Sequence, residues 1–141
     1  MASCITYMEI KSNIENVIII IYVSNQEMSK RFYSEVLDSN PILDVPGMTE
    51  FFLNEKVKLG IMPEDSIAKI ICPVLPNPKT ANGIPRCEIY LKVNNPTKYM
   101  ERALNMGGKK ISNLTKRDWG DEVAYVSDLD GNVIAFAKEL Y

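Results

Sequence analysis

Residues 17–37 read VIIIIYVSNQEMSKRFYSEVL, and the place where this stretch changes period decides the fold. Its first seven residues, Val17, Ile18, Ile19, Ile20, Ile21, Tyr22 and Val23, are almost wholly β-branched, which suits the pleated surface of a strand better than a helix of that length. Apolar residues at odd and even positions alike predict burial on both faces and a central place in a sheet. From Ser24 the period lengthens. Ser24 and Glu27 have the spacing of a capping box, and Met28, Phe32, Tyr33, Val36 and Leu37 recur at helical intervals, so a helix is expected from about Asn25 to Leu37.

Asp38, Ser39, Asn40 and Pro41 end that helix, and Val45, Pro46 and Gly47 mark a turn. Short strands are predicted at 50–53 and 56–62, joined by Asn54 and Glu55; with the strand at 17–23 they are three strands of a module over about 17–62 that is expected to follow a βαβββ plan. Pro63, Pro73, Pro76, Pro78 and Pro85, with Asn77, Asn82 and Gly83, then surround one apolar stretch at 67–71, and 63–85 reads as a linker. The plan repeats over about 86–139. Within 87–93, Glu88, Tyr90 and Lys92 alternate with Ile89, Leu91 and Val93, as in a strand with one face packed on a helix. Asn95 and Pro96 start a second helix, because the Asn side chain accepts an orphan N–H and proline has none to lose. Tyr99, Met100, Ala103 and Leu104 form its buried stripe, and Gly107 and Gly108 end it through left-handed backbone. Strands are expected at 109–111, 122–127 and 133–137, the last two joined by a tight hairpin at Asp130 and Gly131.

The chain has 141 residues, 46% hydrophobic and 24% charged, which suits one domain over 1–141 with a full core. Its 16 basic and 18 acidic residues leave a formal charge of −2, and no basic run interleaves with aromatics, so nucleic acid is not an expected partner. The apolar run at 17–23 is too short to cross a bilayer and the first residues have no signal-peptide pattern, so no membrane partner and a cytoplasmic location are expected. Cys4, Cys72 and Cys87 are odd in number and widely spaced, which reads as buried or half-buried thiols rather than a disulfide framework or a zinc knuckle. The most informative number is the absence of histidine. It removes Ser-His and Cys-His nucleophilic systems and every His-based metal site, leaving carboxylates, Lys, Tyr and Cys for any chemistry.

Three stretches resemble the glyoxalase, bleomycin-resistance and extradiol-dioxygenase superfamily, the vicinal oxygen chelate proteins. They are Tyr22-Val23-Ser24-Asn25 leading to Phe32-Tyr33-Ser34-Glu35-Val36-Leu37; Glu88-Ile89-Tyr90-Leu91-Lys92-Val93; and Trp119-Gly120 leading to Tyr125-Val126-Ser127-Asp128-Leu129-Asp130-Gly131-Asn132. The resemblance runs from about residue 17 to the C-terminus. It implies an α+β fold of two βαβββ modules whose curved mixed sheets surround a cavity, with helices on the outer faces, and it implies a homodimer. Metal-dependent members place ligands on inward positions of the first and last strands of each module. Those positions fall here on Ile18, on Leu59 or Gly60, on Glu88 and on Ala135, so one carboxylate alone survives in kind. A divalent ion needs three or more protein groups. No cofactor is therefore expected, with a divalent metal in a rearranged carboxylate site as the weaker alternative.

The functional expectation is a metal-independent protein that sequesters a small, partly apolar or aromatic ligand, lined by Ile18, Tyr22, Leu59, Glu88, Tyr90, Trp119, Tyr125 and Ala135. The alternative is a glyoxalase-related lyase, dioxygenase or isomerase with an atypical metal site or with Glu88 as general base. The balance leans away from an enzyme, because a lone carboxylate leaves a developing enediolate without a stabiliser. A structural or regulatory role stands as a third reading. Each candidate also has a plain structural alternative. Glu88 suits an acid paired with a neighbouring base, Lys92 being one choice, or an acid exposed at a strand edge. Tyr22, Tyr90 and Tyr125 suit ordinary core, and Trp119 a loop anchor. Asp128, Asp130 and Asn132 read as a hairpin turn rather than a calcium loop, since no ligating Glu follows. Residues 1–15 suit an extra edge strand or an extension equally well.

Overall fold

The computed structural model describes residues 12–141, and Cys4 lies outside them. The first module comprises β1 (Val17–Val23), α1 (Gln26–Leu37), β2 (Leu43–Val45), β3 (Met48–Phe52) and β4 (Val57–Pro63). Its sheet has the order β1-β4-β3-β2, with β1 parallel to β4 and the other pairs antiparallel. The segment 64–87 holds α2 (Glu64–Ile71) and a 3-10 turn (Pro78–Ala81). The second module comprises β5 (Glu88–Lys92), α3 (Pro96–Asn105), β6 (Lys109–Lys116), β7 (Asp121–Ser127) and β8 (Val133–Glu139), ordered β5-β8-β7-β6 with the same pattern of pairing. The architecture is α+β, with two similar four-stranded mixed sheets that do not close into a barrel. No helix among the described residues is long and apolar enough to cross a membrane.

Helices α1 and α3 and one face of each sheet share a single core. Ile21 and Val23 of β1, Phe32, Tyr33 and Val36 of α1, Phe51, Leu59 and Ile61 of the first sheet, and Ile89, Ala103, Val126, Ile134 and Phe136 of the second module form one buried cluster. The turn between β7 and β8 ties the modules together at its rim. Tyr33 donates its hydroxyl to the buried Asp128 at 2.7 Å, and the other oxygen of Asp128 accepts the backbone N–H groups of Asp130 and Asn132 at 2.9 Å. Asp130 in turn accepts the backbone N–H of Ser24 at 2.9 Å. Residues 128–132 therefore make a hairpin turn, as expected, that also clamps the start of α1.

Several local expectations shift. The sequence does not place β2 (Leu43–Val45), because three exposed residues are too few to show a period, and the strand takes in Val45, which was expected in the turn. β1 lies at the edge of its sheet, not in the middle: Ile21 and Val23 enter the core, whereas Ile18, Ile20 and Tyr22 are each about two-fifths exposed on the other face. A continuous apolar run states that both faces are apolar; it does not state which neighbour covers them. The cap of α1 is Asn25, whose side chain accepts from Met28 N–H at 2.9 Å, one residue beyond the expected Ser24. The linker contains a helix: Glu64 and Asp65 follow Pro63 as an acidic first turn, and Ile67 is its buried residue. The surrounding prolines obscured that start signal. β6 extends to Lys116 rather than stopping at 111. Asn95 caps α3 as expected, accepting from Lys98 N–H at 3.3 Å. At its end only Gly107 takes positive φ, of 97°; Gly108 is required for a different reason, since a Cβ there would stand 2.8 Å from the Ser127 carbonyl oxygen.

Candidate functional site

The faces of the two sheets turned away from the helices carry most of the predicted site residues, Leu59 and the loop residue Trp119 excepted. On the second sheet the register sets Ser112, Tyr125, Ala135 and Tyr90 in one row across four strands, and Thr115, Val123, Ala137 and Lys92 in the next. Small residues in the middle and aromatic ones on either side form a second buried cluster: Val123, Ala135 and Ala137 are fully covered, and Tyr90 and Tyr125 pack against them. Ala135 therefore lies beneath aromatic rings rather than on an open wall.

Around this apolar floor runs a polar network. Tyr90 donates its hydroxyl to Asp121 at 2.5 Å and accepts the indole N–H of Trp119 at 2.8 Å. Lys92 pairs with Glu139 at 3.0 Å and lies 3.9 Å from the buried Asp121. Burial and the hydrogen bond to Asp121 raise the pKa of Tyr90, so this phenol is a neutral hydrogen-bonding group at physiological pH. Glu139 and the hydrogen bond it accepts hold the Lys92 ammonium protonated. Trp119 is 59% exposed, which leaves its ring free to be covered by a ligand or a partner. Sequence reading missed Asp121 and Arg117. The signal for Asp121 was its place two residues before Val123, on the same strand face.

On the first sheet, Tyr22 pairs with Met62 and Val45 with Met48, Ile20, Gly60, Glu50 and Leu43 form one row, and Ile18, Lys58 and Phe52 another. Leu59 points the other way and is buried in the core, so of Leu59 and Gly60 it is Gly60 that shares a face with Ile18. The face is apolar and uncovered, with Ile18, Ile20, Tyr22, Leu43, Val45 and Phe52 all exposed, and Lys58 pairs with Glu50 at 3.7 Å.

Between the sheets, a cleft of about 590 Å³ runs along β5, bordered by Ile19, Phe52, Leu53, Glu88, Tyr90 and Tyr99 among others. Glu88 is exposed there and makes no hydrogen bond or ion pair among the described residues; the predicted partner Lys92 is taken by Glu139. Cys87 is exposed rather than buried, because β5 begins only at Glu88 and leaves it on the connecting segment. The eight predicted residues thus fall into three groups: Tyr90, Trp119, Tyr125 and Ala135 together on the second sheet, Ile18 and Tyr22 on the first, and Glu88 on the cleft, with Leu59 inside the core.

The model of the glyoxalase-like domain matches residues 16–141, nearly the whole chain. The chain belongs to the glyoxalase-like family. No curated protein matches it in sequence. Among solved structures, a glyoxalase-related enzyme from Fulvimarina pelagi is 20% identical over 87% of this chain and 86% of its own, with a TM-score of 0.73. A glyoxalase/bleomycin resistance protein/dioxygenase family enzyme from Burkholderia phytofirmans PsJN is 14% identical over 87% and 97%, with a TM-score of 0.74. A glyoxalase/bleomycin resistance protein/dioxygenase from Nocardioides is 16% identical over 93% and 86%, with a TM-score of 0.70. At these identities the likeness establishes the fold.

This glyoxalase-like chain does not offer a fitting donor set where the resemblance places a divalent ion. Ile18 has no donor atom, Ala135 is covered, and Glu88 stands alone. At Gly60 a Cβ would lie 2.9 Å from Ile20 Cγ1, 3.3 Å from Ile18 Cγ2 and 3.3 Å from Met48 Sδ. Apolar side chains already fill the space that a longer side chain at this position would need. Among the described residues no three His, Cys, Asp or Glu side chains converge on one point.

Proposed function

We propose that this glyoxalase-like protein binds a small, partly apolar or aromatic molecule without a metal ion. The observation that carries the reading is the second sheet's uncovered face, where Tyr90, Tyr125 and Trp119 present aromatic surface beside a fixed set of hydrogen-bonding groups. Aromatic surface with a few oriented polar groups is the make-up of small-molecule sites. The packing of Ile18, Ile20 and Met48 over Gly60 supports the absence of metal from the reading. A lyase, dioxygenase or isomerase with Glu88 as general base is the weaker reading, since Glu88 is exposed and no hydrogen bond or ion pair among the described residues orients it.

The apolar face of the first sheet supports a second part of the proposal, a homodimer in which that face is covered. A cytoplasmic, soluble protein without nucleic-acid partners fits its balanced charge.

Protein purified without chelator, analysed for metals and melted with and without EDTA, tests the central claim. The expected result is metal well below one per chain, an unchanged melting temperature with EDTA, and a rise with planar aromatic ligands. Manganese, nickel, zinc or iron near one per chain, with stability lost on chelation, would reverse the ranking of the two readings.

A further inference from the structure

The connection between β6 and β7 carries one cation, Arg117. Arg117 is half buried against the second sheet, its guanidinium carbon 5.1 Å from the centroid of the Tyr125 ring. Its Nη2 donates to Ser112 Oγ at 2.7 Å and to the Val123 carbonyl at 3.1 Å. These two bonds have a local explanation, because the register of β6 slips between Ser112 and Thr115 and Arg117 bridges the irregular stretch. The rest of the guanidinium has none. Nε is buried without an acceptor, Nη1 donates to nothing, and no carboxylate approaches within 4.0 Å, all among the described residues. The other half-buried basic side chains there, Lys30, Lys58 and Arg102, pair with Asp44, Glu50 and Asp38. Of the acids on the same sheet face, Asp121 is engaged by Tyr90 and Lys92 and Glu139 by Lys92, while the unpaired Glu88 stands on β5, at the opposite edge of the sheet from β6.

A guanidinium partly withdrawn from water and left without an anion is costly, and an incoming anion recovers that cost. Stacking on Tyr125 and the bonds to Ser112 and Val123 hold the group in one orientation in advance, which lowers the entropy lost on pairing. We propose that Arg117 is the anion-recognising element of this face, and that the ligand is a planar aromatic carboxylate. Its carboxylate pairs with Nη1 of Arg117, the uncommitted donor that is not sealed from solvent, and its ring is taken by the aromatic set of Tyr90, Trp119 and Tyr125. The inference rests on the metal-independent binding reading and adds the charge and chemical class of the ligand.

Calorimetric titration with benzoate and 2-naphthoate, alongside benzamide and 2-naphthamide, tests it. The carboxylates are expected to bind about ten-fold or more tightly than the amides, the margin of a charge-assisted hydrogen bond. Arg117→Met should remove that preference while sparing amide binding, and Arg117→Lys should keep part of it. Because Arg117→Met also frees the Val123 carbonyl, a second measurement uses the unaltered protein: raising salt to about 0.5 M should weaken carboxylate binding and spare the amides. Equal affinity for the two series, or a preference that survives Arg117→Met, overturns the anion site while leaving the binding reading standing. Failure of both series to bind or to raise the melting temperature overturns the two together.

Discussion

Gly60 and Tyr33 are two positions where a single side chain, or its absence, decides what its surroundings do. A methyl group at 60 would press on Ile20 Cγ1 from 2.9 Å, so Gly60→Ala is expected to cost about 1–3 kcal/mol. Removing the obstructing atoms with Ile20→Ala should return much of that loss in the double variant, because Ile20 is 41% exposed and contributes little by itself. Urea denaturation of the four proteins measures the coupling. Tyr33 makes a different prediction. Burial, reinforced by the charge of Asp128, raises its pKa well above the ordinary value of 10.0. The folded state therefore keeps a proton that the unfolded state releases, and stability present in full below pH 10.0 falls as pH rises beyond it. Tyr33→Phe should be less stable at neutral pH by about 1–3 kcal/mol, having left Asp128 short of a donor, yet its stability should fall less steeply above pH 10.0. Chemical denaturation across pH 8–11 gives both slopes; an unchanged alkaline slope would remove Tyr33 from the account.

β1 and α3 mark the two extremes of what an element owes to its own residues. α3 begins where Asn95 and Pro96 direct, and Asn95→Ala should cost about 1 kcal/mol through the lost acceptor for Lys98 N–H, read from the shift in thermal midpoint. β1 owes its strand form to β-branched residues but its place to the fold. Its parallel pairing with β4 leaves one edge free, and Ile18, Ile20 and Tyr22 face away from the core. A lysine at Ile20 should change the stability of the isolated chain by roughly 0.5 kcal/mol or less, as at other exposed positions. In the proposed dimer the same lysine would bury a charge, so light scattering should show dimer for the parent and monomer for Ile20→Lys. Dimers of equal strength in both would place the interface elsewhere. α2 lies between these extremes, with a legible acidic first turn hidden among prolines that mark turns on either side.

At the scale of the whole molecule the two modules share the main apolar cluster and the Tyr33–Asp128 clamp, and only the small cluster under Tyr90 and Tyr125 belongs to one module. Unfolding is accordingly expected to be a single cooperative transition, with Trp119 fluorescence, which reports on the second module, coinciding with far-UV circular dichroism. Separate midpoints would show that the modules hold independently. The residues alone determined the repeated module apart from the three-residue β2, the helix ends at Asn95 and Gly107, the turn at 128–132 and the family, because period, capping and turn chemistry are local and are written in neighbouring residues. They also showed that histidine is absent and that the family's ligand positions hold mostly apolar residues. Which face each residue shares across strands was decided by register, a long-range quantity: it turned Leu59 inward and Gly60 outward, set Ala135 under Tyr90 and Tyr125, and brought Trp119 to the Tyr90 hydroxyl across 29 residues of sequence. Asp121 and Arg117 acquire meaning only there, because a carboxylate or a guanidinium is defined by the partners that packing gives it or withholds.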